Sequence, residues 1–211
     1  MRTDDLIQLL ARDDTPPRPL SPRLLLQSGA ALALMGAVAL AILGPRADLG
    51  QAMADPVTRM KWLLPLAVAI PALIAAMRLT RPQTRRAPGL MLAGLVAVGA
   101  VLWLLATILV TPSQAVWPRM RGSSALICLS AVTLISILPL AAGLRILRDG
   151  ASTAPMRSGA AMGLAAGGLA TLVYAMHCTE DAPLFFLTWY GLAIGMVTTA
   201  GALAGRWLLR W

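Results

Sequence analysis

A chain of 211 residues with 58% hydrophobic and only 13% charged side chains has a mean hydropathy of +0.73. A soluble domain carries about 25% charge, so the composition excludes a water-soluble globular protein and points to a membrane chain. The net charge of +9 comes from Arg residues beside apolar runs with no aromatic platform between them, which argues against a nucleic-acid surface.

The chain opens "MRTDDLIQLLARDDTPPRPLSPRLLL". Residues 1–23 read as a segment outside the membrane. Thr3 can cap a short helix, and Asp4 and Asp5 in its first turn suit the helix dipole. Leu6, Leu9 and Leu10 fall on one apolar stripe with Ile7 at its margin. Pro16 and Pro17 end the helix, and the Pro-rich stretch after them is an extended linker. Residues 1–14 hold two Arg against four Asp. Helices that lie on a bilayer are usually rich in Lys and Arg, and an acidic one is repelled by an anionic leaflet. A protein partner with an apolar groove and a basic rim fits better, contacting Asp4, Asp5, Leu6, Leu9 and Leu10.

Six apolar runs follow, at about 24–43, 60–79, 89–110, 123–144, 159–176 and 184–203. Crossing the hydrocarbon takes about 20 helical residues, so the fold class is an all-α bundle of six transmembrane helices spanning 24–211. The second run holds Pro65 and Pro71 and borrows both ends, with Lys61 and Arg78 expected to snorkel outward. Ala52-Met53-Ala54 matches a cleavage pattern but lies well beyond a run too long for a signal core, so the N-terminal segment is expected to stay attached. Thirteen Arg fall at the two termini and in the second and fourth loops; five Arg or Lys fall on the other side. The positive-inside rule then places both termini in the cytoplasm.

That topology puts "HCTEDAP" in a tight outer turn after the fifth span. His177 is the only His and Glu180 the only Glu of the chain, and Cys178 is one of two Cys. Cys128 lies about five residues into the fourth span, ~7 Å below the same surface. Three readings compete for the pair. A disulfide suits an oxidising compartment. A reactive thiol is favoured by His177 beside Cys178. Metal capture would use Cys128, Cys178, His177, Glu180 and Asp181, although the spacing matches no standard zinc motif. The plain alternative is a polar hairpin with two buried small hydrophobes.

No span carries an ionisable residue at its centre, which argues against a pump, a coupled transporter or a membrane enzyme. Small residues form stripes: Gly159, Gly163 and Gly167 on span five; Gly191, Gly195 and Thr199, then Gly201 and Gly205, on span six. Such faces pack helices closely, within the bundle or between copies as a homo-oligomer.

Together these parts resemble the NrsF family of membrane anti-sigma factors. The resemblance rests on "TDDLIQLLARDDTPPRPL", the six spans, Cys128 and "HCTEDAPLFFLTWY", and covers nearly the whole chain. It implies a protein of the bacterial inner membrane whose cytoplasmic side sequesters an extracytoplasmic-function (ECF-type) sigma factor. It also implies that Cys128 and Cys178 are sensor thiols for metal or oxidant stress, with His177, Glu180 and Asp181 as adjacent candidates. No constitutive cofactor is implied, only a transient heavy-metal ion at the thiols. The rival readings are a small metal-ion channel or carrier, for which the spans offer no polar path, and a structural membrane scaffold.

Overall fold

The structure is a computed structural model that describes residues 2–11, 20–81, 83 and 87–210. The side chains of Leu6, Leu9 and Leu10 and the linker residues 12–19 lie outside the described residues. Among the described residues the chain forms nine helices and no strand. They are α1 (Thr3–Ala11), α2 (Leu20–Leu43), α3 (Leu49–Ala54), α4 (Pro56–Arg78), α5 (Pro88–Val110), α6 (Ser113–Arg121), α7 (Ala125–Leu147), α8 (Pro155–Ala175) and α9 (Pro183–Leu208). Six of these are long and apolar enough to cross a membrane: α2, α4, α5, α7, α8 and α9. The protein is a multi-pass membrane protein.

The spans begin where backbone chemistry lets them. Proline opens α4, α5, α8 and α9, where its missing N–H costs nothing and its fixed φ suits a first turn. Asp55 caps α4 by accepting from the Thr58 N–H at 2.6 Å. In α1 the helix starts at Thr3 itself, so Thr3 is not the cap. Instead the Asp5 carboxylate reaches back to the Arg2 N–H at 3.1 Å, one half of a capping box.

Helix α8 is the hub. It packs against α2, α4, α7 and α9, and 72% of its most apolar window is buried, against 6% for α5. The reason is size. Gly159 and Gly163 face Gly201, Gly205 and the backbone at Val197, and a Cβ on any of the four glycines would collide with main-chain atoms across the contact. Gly168 makes the same close approach to the Pro65 carbonyl of α4. The glycine face of span five is therefore consumed inside the bundle. Gly191 and Gly195 are different: a Cβ there meets nothing within 4 Å.

Two features depart from the sequence reading. Short helices α3 and α6 occupy the connections after the first and third spans, where runs of six and nine residues fall below the length at which periodicity is legible. Lys61 does not snorkel. Because α4 starts at Pro56, Lys61 stands in the second turn rather than at a frayed end, and it is fully buried.

The tight α8–α9 contact predicts an asymmetry between glycines. Gly159→Val should destabilise the protein by about 1–3 kcal/mol through overpacking, whereas Gly195→Val should stay within about 0.5 kcal/mol. Thermal unfolding in detergent measures both.

Candidate functional site

The residues that stood out in the sequence meet at one end of the bundle, in the turn between α8 and α9. His177, Glu180 and Asp181 of this turn are each tied to a different part of the chain. The Nδ1–H of His177 donates to the Gly44 carbonyl at 2.8 Å; a carbonyl only accepts, so Nδ1 carries the proton. Gly44 follows the last residue of α2 with φ +77°, a left-handed conformation that glycine adopts without strain. One residue beyond Pro45, the Arg46 N–H donates to the Met176 carbonyl at 2.9 Å.

Glu180 serves the start of α7. Its Oε1 accepts from both the N–H and the hydroxyl of Ser123, each at 2.7 Å. Gly122 precedes it with φ +55°, and a Cβ there would strike the Phe185 ring and the Glu180 carboxylate. Trp189 adds a further tie, its Nε1–H donating to the Met120 carbonyl at 2.7 Å.

Asp181 is the strongest tie. Its carboxylate accepts two hydrogen bonds from the Arg46 guanidinium, at 2.9 and 2.8 Å, and one from the Lys61 ammonium at 2.8 Å. Both cations also donate to the Cys178 carbonyl, Arg46 at 3.0 Å and Lys61 at 2.8 Å. Asp48 completes the group with two hydrogen bonds from Arg46, each at 2.9 Å. The side chains of Arg46 and Lys61 are 1% and 0% exposed. Two buried cations are thus matched by two carboxylates, which is the condition for burying charge at all. The pairing was not read from the sequence, which could not give that a loop 120 residues away reaches Lys61.

The electrostatics follow. Burial pushes the Asp181 carboxyl up, but the hydrogen bonds and charges of Arg46 and Lys61 outweigh it and hold the group below its ordinary range. Arg46 holds Asp48 down to about 2, and the two carboxylates raise the guanidinium of Arg46 further above its ordinary value.

The thiols lie beneath this lattice. Cys128, on the first turn of α7, and Cys178 are 0% and 2% exposed, and both are free rather than bridged. They share one buried cluster with Trp62, Tyr174, Phe186 and Tyr190. The Trp62 Nε1–H and the hydroxyls of Tyr174 and Tyr190 are buried without a protein hydrogen-bond partner among the described residues. The structure therefore brings Cys128 and Cys178 into one pocket of the core but commits His177, Glu180 and Asp181 elsewhere. Among the described residues no three His, Cys, Asp or Glu side chains form a group that could hold a metal ion. The aromatic lining was missed by sequence reading, since Tyr174 and Tyr190 are spaced like any core position.

At the other end of the chain, α1 presents Asp4, Asp5 and Ile7 to solvent.

Removing one carboxylate of the clamp should cost more than removing one cation. Asp181→Asn leaves the buried Lys61 without a carboxylate and Arg46 with Asp48 alone, and should destabilise by about 3–5 kcal/mol. Lys61→Met leaves Asp181 paired with Arg46 and should cost less; chemical denaturation of the purified protein compares them. The pH dependence has a defined sign. Depressed carboxylates contribute stability above their unfolded pKa, and it is lost only as pH falls through the folded value. Protection of the thiols should therefore hold from about pH 8 to about pH 5 and fail only toward about pH 2–3, as followed by thiol labelling.

The family described as NrsF, negative regulator of sigma F, matches residues 10–211. The chain is 37% identical to "Anti-sigma-F factor NrsF" of Caulobacter vibrioides over 221 aligned positions, and 32% identical to "Probable anti-sigma-F factor NrsF" of Azospira oryzae over 222. Both alignments cover the whole of each chain. No solved structure matches. With this match spanning every membrane helix and the clamped turn, the chain belongs to the NrsF family of negative regulators of sigma F, which are regulators and not enzymes.

Proposed function

We propose that this protein is a membrane anti-sigma factor that holds an ECF-type sigma factor of the sigma-F kind at the bacterial inner membrane and releases it when the Cys128–Cys178 pair is modified. Full-length similarity to two proteins named as anti-sigma-F factors is the observation that carries the reading. Both termini lie in the cytoplasm, in keeping with the thirteen Arg on that side. The turn 177–183 then faces outward.

The output is the N-terminal segment. Asp4 and Asp5 are exposed on α1, and the sequence spacing of Leu6, Leu9 and Leu10 adds one apolar stripe to this acidic helix, a surface suited to a partner's groove. The input is the thiol pair. Packed helices with glycine contacts have discrete alternative packings, and a modification shifts their balance only by its differential free energy between the two. Moving from 1:99 to 99:1 takes about 5.5 kcal/mol, which a covalent change inside a filled core supplies through overpacking and lost contacts. The second copy suggested by the stripes of spans five and six is not needed for this account, since the span-five face is used internally.

Changing Leu6, Leu9 and Leu10 together to Asp tests the output. Capture of the sigma factor from solution should fall by more than about tenfold while the protein stays in the membrane at its normal level. Undiminished capture would remove the N-terminal stripe from the interface.

A further inference from the structure

The thiols are walled off from water and close to the bilayer. On the aqueous side, the turn above Cys178 is fixed by His177, Glu180 and Asp181, and its carbonyl is held by Arg46 and Lys61. A charged reagent entering there would shed its hydration while the charged side chains of the turn are already paired, a cost of several kcal/mol. On the lateral side, a groove of about 660 Å³ runs between α4, α5 and α9. Its lining is apolar, and Phe186 and Tyr190 line it while also belonging to the cluster that holds both cysteines. Met60, Leu64 and Leu187 join groove and cluster in the same way. Helix α5, which forms the outer wall, buries only Ala93 and is the most loosely held of the six spans.

Tyr190, which lines the groove, is 3% exposed, and Tyr174 beside it is 1% exposed; both share the buried cluster of Cys178, and neither hydroxyl meets a protein hydrogen-bond partner in good geometry among the described residues. Two phenol donors beside a thiol suit one chemical class, a carbonyl compound whose oxygen accepts from the phenols while its conjugated carbon meets the sulfur.

We infer that the thiol pair is a site for neutral, bilayer-dissolved α,β-unsaturated carbonyl compounds, which reach it laterally through the α4–α5–α9 groove. In the reaction the thiol adds across the activated double bond. An S–C bond forms at the β-carbon and the S–H bond breaks. The electron pair moves toward the carbonyl oxygen, where a phenol donates, and the proton ends on the α-carbon. Nothing leaves and no co-reactant is used. The inference rests on the thiols being the input of the proposed regulator. Its test reads thiol labelling rather than sigma capture, so the two can fail separately.

The protein is reconstituted in vesicles and labelled with N-ethylmaleimide or with a sulfonated maleimide of equal intrinsic reactivity, on either side of the membrane. The neutral reagent should label at least about tenfold faster. Gly195→Leu, which fills the groove at a position where a Cβ meets nothing within 4 Å, should slow the neutral reagent by about tenfold. Gly94→Leu, equally open but outside the groove, should label as the unmodified protein does. Tyr190→Phe should slow N-ethylmaleimide more than it slows iodoacetamide, which has no carbonyl conjugated to a double bond. Equal rates for the charged and neutral reagents would overturn the inference. So would equal rates for the two Leu variants, or folded protein that neither reagent labels.

Discussion

The arrangement at one end of this bundle depends on a single carboxylate. Asp181 is shared between Arg46 and Lys61, and the same two cations hold the Cys178 carbonyl. Neither cation is exposed, so neither can be left unpaired without a cost of several kcal/mol. This fixes the α8–α9 turn against the α2–α4 corner. Glu180 fixes the same turn to the start of α7, and His177 fixes it to the end of α2. One short loop between α8 and α9 thereby ties three further spans, α2, α4 and α7, at one end of the bundle. Depressed carboxylates make the tie insensitive to ordinary pH, so the clamp is a fixed frame and not a proton switch.

The frame gives the two sulfurs their character. A polar cluster on an outer loop would be wet, and its cysteines open to any ion. Here the polar groups bond to each other and to the backbone, and what they enclose is a buried, mostly apolar cluster. Tyr174, Tyr190, Phe186 and Trp62 close over Cys128 and Cys178. Below them α8 runs through the centre of the bundle with its glycines against α9, where a small shift of one helix is felt by the main chain of the other. In the proposed regulator, a change of volume at the thiols acts on the packing around α8, the helix at the centre of the bundle.

Much of this was legible in the sequence. The number of spans follows from apolar length alone, and the nearness of Cys128 and Cys178 follows from counting turns on two consecutive spans. The glycine stripe on span five was legible as a packing face, but its partner was not, because Gly159–Gly167 matches Gly191–Thr199 in spacing as well as it matches Gly201 and Gly205. Only the three-dimensional register decides between them. The roles of His177, Glu180 and Asp181 were not legible. Residue types that suit metal ligation also suit helix-end and ion-pair duties, and the choice depends on Gly44, Ser123 and Lys61, which are far away in the chain. Lys61 itself looked like a span end because the apolar run starts at Trp62, whereas Asp55 and Pro56 begin the helix well before it.

The central claim is that the buried thiols and the sigma-binding surface report on one two-state bundle. Sigma-factor affinity of the vesicle-bound protein, measured before and after complete labelling of Cys128 and Cys178 with a neutral maleimide, tests it most directly. The account predicts an affinity loss of more than about a hundredfold, equivalent to some 2.7 kcal/mol of coupling, and no loss when the same reagent is applied to a variant with both cysteines changed to Ser. An affinity unchanged by labelling would contradict it.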